Sequence, residues 1–192
     1  PALRCALTVI PCTGWTRNAQ WPAPIAPSPN LPTPEAVLLY PHLVLLEATI
    51  ASVGRGTDAP FTRVGFPGFT RGPIAFTPQP NAASRYPKHA GQSCQGFSLL
   101  RRLGTWQHGK AVPRLHLEVL SEVHQAWLNT PAGDQSPFID RPQFFDQLAG
   151  GPALRVAIEA GTPLEELRNL WAMERSRFLE MRSRYLRYPA GL

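Results

Sequence analysis

"LVLLEATIASVGRGTDAPF", residues 43–61, sets an apolar run against a polar segment in which two glycines bracket an arginine. Residues 43–49 have the length and composition of a buried strand, and such a strand would deliver Glu47 close to its end. Ser52, Arg55, Thr57 and Asp58 then follow within a few positions. A run of core residues that ends in a cluster of charge and hydroxyls is how a scaffold presents a site on a loop.

Around this stretch the β signals fall before residue 105. "ALRCALTVI" (residues 2–10) mixes β-branched and apolar residues over strand length and is closed by Pro11, so a core strand is expected there. Shorter strands are expected near residues 61–65, 74–77 and 95–100. The 22 prolines crowd the region before Asn81 and imply rigid, extended loop segments. One of them, "WPAPIAPSPNLPTPEA", carries Ser28 and Asn30, and Pro34 can open a short helix through Tyr40. Trp15 and Trp21 precede the "PSPN" turn, where an aromatic can stack on a sugar face or simply fill the core.

Beyond residue 105 the period turns helical. Leu117, Leu120, Val123, His124, Trp127 and Leu128 recur at three- and four-residue spacing, which predicts an amphipathic helix from near Pro113. Asp140 can cap a helix that opens at Pro142 and closes at Gly150, and residues 152–161 repeat the arrangement. Thr162, Pro163 and Glu165 read as a capping box for one long last helix lined by Leu164, Leu167, Leu170, Trp171, Phe178, Met181 and Tyr185. Strands first and helices after predict an α+β fold over a single domain, residues 1–192, with a small mixed sheet packed on C-terminal helices.

Composition narrows the function. No stretch reaches the roughly 18 to 20 unbroken apolar residues of a membrane helix, so no membrane span is expected. The first residues carry neither an initiator methionine nor a cleavage site, which leaves room for a leader or a longer upstream region. Cys5, Cys12 and Cys94 are odd in number and lack CxxC spacing, which points to buried thiols and neither a disulfide framework nor a zinc site. The net charge of +6 is spread along the chain, so charge alone does not indicate nucleic acid. The five histidines have no metal-ligand spacing, and no metal or cofactor is expected.

Two carboxylates, Glu47 and Asp58, flank glycine-rich backbone, and paired carboxylates are what glycoside hydrolysis needs. The plainer reading is that Glu47 forms an ion pair with Arg55. "GRGT" lacks the GxxxxGK[ST] pattern of a nucleotide cradle, and Arg55 reads better as a fork for one carboxylate. No serine sits in a GxSxG elbow.

The stretch "APSPNLPTPEAVLLYPHLVLLEATIASVGRGTDAPFTRVGFP" resembles the signature of the DUF1343 family, the NamZ family of peptidoglycan exo-β-N-acetylmuramidases. The likeness continues through "KHAGQSCQGF", "FFDQLAGG" and the ending "RFLEMRSRYLRY", in order and over nearly the whole chain. It implies that the chain is the C-terminal half of a two-domain glycoside hydrolase whose Rossmann-like N-terminal half carries most of the catalytic machinery. The substrate would be a peptidoglycan-derived saccharide ending in N-acetylmuramic acid. Ser28, Asn30, Thr49, Ser52, Arg55 and Thr57 match motif positions that would bind it, with Glu47 in a catalytic role that orients or supports. The partner would be an N-terminal catalytic domain or subunit, the setting a bacterial envelope or exported compartment, and the chain by itself inactive. The family's EGTN reads Glu47, Ala48, Thr49, Ile50 here, which loses a polar amide, and the segment between Pro67 and Ile74 is short. Those departures open an alternative, a non-catalytic domain that binds cell-wall saccharide or docks a separate subunit.

Overall fold

The computed structural model describes residues 5–19, 23–70, 72–107, 115–133 and 135–189. The chain divides into two compact units, residues 23–170 and residues 1–22 with 171–192. The α+β class is as expected, with a three-stranded sheet and a majority of helices.

In the larger unit, helix α1 (Pro34–Leu43) starts where Pro34 presets φ and the Thr33 hydroxyl accepts the Ala36 N–H at 3.2 Å. It passes directly into a 3-10 turn, Val44–Ala48. The strand expected over residues 43–49 is therefore absent. A buried apolar run looks alike in a strand and in a buried helix. What separates them here is spacing: Ala36, Leu39, Leu43 and Leu46, all fully buried, recur at three and four residues.

Strands β1 (Arg63–Phe66), β2 (Ile74–Phe76) and β3 (Cys94–Ser98) lie in the order β1-β3-β2. Both pairings are antiparallel, so the sheet is not the mixed one expected. Gly65 faces Gly96 across β1 and β3, and Gly96 also faces Ile74 of β2. A Cβ on Gly96 would come within 1.9 Å of the Val64 carbonyl oxygen, so the close approach of the backbones depends on glycine there. On its other edge β1 is extended by a single bridge to Ser52, whose N–H donates to Gly65 O at 2.8 Å and whose carbonyl accepts from Gly65 N at 3.0 Å. This bridge ties the loop that carries Arg55 to the sheet.

Helix α2 (Leu100–Gln107) follows β3 at once, where a strand had been expected to continue to residue 100. Helix α3 (Leu117–Leu128) buries Leu117, Val119, Leu120, Val123 and Trp127. The ring of Trp127 meets Phe66 of β1 edge-on at 5.5 Å, which joins α3 to the sheet core. The expected start of this helix near Pro113 lies outside the described residues. His124 is half-buried against Phe138, with ring centroids 4.8 Å apart, as a core histidine would be.

Helix α4 (Pro142–Ala149) ends at Gly150 in the left-handed conformation, φ 81°, as the sequence predicts. Its N-cap is Arg141, without a side-chain cap, because Asp140 is turned to Lys88 instead. Helix α5 (Ala153–Glu159) is braced on α4 by a two-pronged pair of Arg155 with Asp146, 2.9 Å at each contact. Helix α6 (Leu164–Asn169) starts after Pro163 with no side-chain cap, so the capping box is not formed.

In the smaller unit, helix α7 (Ala172–Ser183) buries none of its residues. The single long last helix expected from residue 164 is thus two helices, α6 and α7. Residues 5–10 form no strand, and Leu7 and Ile10 are 76% and 88% exposed. The residues that follow this segment bond the C-terminal end over long sequence separations: Cys12 N–H to the Tyr188 hydroxyl at 2.8 Å, and Arg17 Nε to Tyr188 O at 3.0 Å. Cys5 and Cys12 are exposed and only Cys94 is buried, which corrects the expectation of three buried thiols. Trp15 is partly exposed, and Trp21 lies outside the described residues.

Candidate functional site

The 3-10 turn ends by placing Glu47 at its rim. Thr49 closes it, with its own hydroxyl donating to Leu46 O at 2.8 Å and accepting the Ala51 N–H at 3.2 Å. After the Ser52 bridge, the Ser52 hydroxyl accepts the Gly54 N–H at 3.2 Å. Gly54 and Gly56 both adopt left-handed φ, near 78° and 79°. A Cβ on either would fall 2.6 Å from a carbonyl oxygen, that of Ala59 or Gln79 respectively. The two glycines therefore allow a tight loop that throws the intervening Arg55 side chain outward.

Arg55 Nη1 meets Glu47 Oε1 at 2.6 Å. The Arg55 side chain is 39% exposed and that of Glu47 15%, so the pair stands at the surface with the acid on the inner side. The Arg55 Nε–H is buried without a hydrogen-bond partner among the described residues. The ion pair anticipated as the plainer reading of Glu47 is present. Asp58, by contrast, turns away to Arg63 Nη2 at 3.2 Å and is 86% exposed, so it does not share a site with Glu47 by hydrogen bond.

Of the other residues singled out in the sequence, Thr49 and Ser52 are buried and their hydroxyls serve the turn. Thr57 is half-buried; its hydroxyl donates to Gly54 O at 2.6 Å and accepts the Ala59 N–H at 3.1 Å. Ser28 accepts the Asn30 N–H at 3.3 Å, and Asn30 Nδ2 donates to Ala83 O at 2.7 Å. Asn30 thus fastens the proline-rich loop to Ala83 while Ser28 serves its own turn, and among the described residues neither hydrogen-bonds residues 47–57.

Four residues that sequence reasoning did not place at the site surround Glu47. Lys88 Nζ donates to the Thr49 carbonyl and to Asp140 Oδ2, the latter at 2.6 Å. His89 Nε2 lies 2.6 Å from the Ile50 carbonyl, and Arg141 Nη2 donates to the Glu47 carbonyl. Burial pulls the Lys88 ammonium below the ordinary lysine range, against the opposing pull of Asp140. Burial likewise lowers His89, so its ring is neutral near neutrality. Lys88 and His89 open the "KHAGQSCQGF" motif, a signal legible as family likeness but silent about this contact. Asp140 and Arg141 read only as the start of a helix.

Residues 38–188 match the family described as exo-β-N-acetylmuramidase NamZ, C-terminal. The chain belongs to the NamZ family. It is 29% identical to the peptidoglycan β-N-acetylmuramidase NamZ of Bacillus subtilis over 95% of this chain and 45% of that protein. A solved DUF1343 family protein of Bacteroides fragilis superposes on 97% of the chain and 50% of its own, with TM-score 0.83 and 33% identity. A second B. fragilis member, at 20% identity and TM-score 0.64, shows the same fold over 91% of this chain and 49% of its own. The chain thus spans about half the length of the NamZ relatives it matches. Among the described residues no helix is long and apolar enough to cross a membrane, and no three His, Cys, Asp or Glu side chains group as metal ligands.

Proposed function

We propose that this chain is the substrate-orienting half of a peptidoglycan exo-β-N-acetylmuramidase. The observation that carries the reading is the surface pair of Glu47 and Arg55 on a loop that two left-handed glycines hold in place. N-acetylmuramic acid carries a lactyl carboxylate, and a guanidinium with one nitrogen engaged still offers further donors to a second carboxylate. Arg55 would take the lactyl carboxylate and Glu47 would keep the guanidinium turned toward it. Glu47 then orients substrate, and proton transfer to the glycosidic oxygen falls to groups of the other half. The chain covers 45% of the B. subtilis relative, which leaves room for such a half in that protein.

The alternative, a saccharide-binding or docking domain without catalysis, is favoured by one feature. The hydroxyls of Thr49, Ser52 and Thr57 are committed to the loop itself, which leaves few groups to grip a transition state. The two readings separate by release of nitrophenol from 4-nitrophenyl N-acetylmuramide. Turnover by the chain fused to an upstream half from a NamZ relative, and not by the chain alone, is the expected result. With both samples folded and a relative's complete enzyme active as control, silence of the fusion would leave only the binding domain.

A further inference from the structure

Residues 47–50 belong to no strand, yet their carbonyls are all taken. Glu47 O accepts from Arg141 Nη2, Ala48 O from Arg141 N at 3.2 Å, Thr49 O from Lys88 Nζ, and Ile50 O faces His89 Nε2 at 2.6 Å. The Ile50 N–H adds a bond to Phe138 O at 2.9 Å. Ala48 and Thr49 are fully buried, so their carbonyls need partners; any neutral donor would satisfy that need. A lysine is a costly choice, because an ammonium loses hydration on burial. His89 beside it is a non-glycine residue at φ 60°, an uncommon conformation that histidine adopts more readily than most side-chain-bearing residues. The expense calls for a role that a neutral donor cannot fill.

We propose that Lys88 is a positioning residue for the pair of Glu47 and Arg55: braced by Asp140, it holds the Thr49 carbonyl and so sets the direction in which the Glu47 carboxylate leaves the chain. The proposal rests on Glu47 and Arg55 facing substrate. Lys88 acts on Glu47 by two routes. Through the backbone, it anchors the carbonyl two residues on. Through space, its charge and that of Glu47 attract, one of the influences that keep the lysine protonated. Asp140 prevents the ammonium from swinging to Glu47 itself, which would displace Arg55.

The test uses the whole ¹⁵N-labelled chain, with Lys88→Met, Lys88→Arg and Asp140→Asn variants. Two readouts are taken: solvent exchange of the Arg55 Nε–H and the affinity for N-acetylmuramic acid. Lys88 makes no hydrogen bond to Arg55, so its replacement reaches the Arg55 signal through Glu47, by the backbone or by the lost charge. With the sheet amides unshifted, Lys88→Met is expected to quicken that exchange and weaken the sugar by about tenfold each, the scale of a charged hydrogen bond lost. Lys88→Arg is expected to restore part of both. Unchanged Arg55 exchange in Lys88→Met overturns the proposal. Should Lys88→Met fail to fold, Asp140→Asn decides in its place, faster Arg55 exchange supporting the proposal and an unchanged rate overturning it. If the parent chain takes no N-acetylmuramic acid, the muramidase reading loses its support, while the Arg55 exchange still decides the role of Lys88.

Discussion

Arg55 and Glu47, eight residues apart in sequence, meet at 2.6 Å because a 3-10 turn and a glycine-bracketed loop bend the chain back on itself. The arginine is the more exposed partner. The Glu47 carboxylate is the largely buried partner, so removing the guanidinium leaves its charge uncompensated, which costs more than the loss of an exposed pair. Arg55→Ala should therefore lower the urea midpoint and, in the protein that remains folded, abolish measurable N-acetylmuramic acid binding by calorimetry. A large loss of stability with sugar binding retained would mark the pair as structural.

In a two-domain version of the enzyme, Glu47→Gln keeps the shape of the side chain and removes its charge. The expected result is a fall in turnover of about tenfold, the cost of losing one charged hydrogen bond in an orienting role. Kinetics identical to the parent would remove Glu47 from the site.

Acid should destabilise the chain before its carboxylates titrate. Burial, with the charge of His116 adding to it, lowers His42 to about 4, and burial also lowers His89 and His124. A histidine whose folded value lies below its unfolded one binds a proton more readily when unfolded, so stability is lost as pH falls through 6.5 towards 4. Of the three, His42 is lowered to about 4 and should contribute most across that window. Urea unfolding at pH 7 and pH 5 measures it, and a flat profile would contradict the burial of these rings.

The sheet should not accept a side chain at Gly96, where a Cβ would lie 1.9 Å from Val64 O. Gly96→Ala is expected to cost about 3 kcal/mol, in the range of overpacking a filled core. Thermal unfolding followed by circular dichroism gives the answer.

Thiol chemistry separates the two units. Cys5 and Cys12 are exposed, whereas Cys94 is buried and its thiol is pushed up to about 11 by that burial. Two thiols should react promptly with a disulfide reagent at pH 8, and the third only after denaturation.

Sequence alone was sufficient for the class and for much of the order: the three short strands, the proline-started α1 and α4, and the glycine stop at Gly150 all follow from local chemistry. Residues 43–49 taken alone read as a strand because a short, mostly apolar run suits either conformation, and only when joined to Ala36 and Leu39 of α1 does the buried spacing become helical. The reading failed again at residues 5–10, whose strand composition finds no partner strand among the described residues. The pair of Glu47 and Arg55 was legible because it is local. Lys88, His89 and Arg141 were not, since their roles depend on carbonyls 39 to 94 residues away in sequence. Backbone acceptors have no residue identity, so nothing in the sequence marks which side chain will claim them; that choice belongs to the tertiary structure.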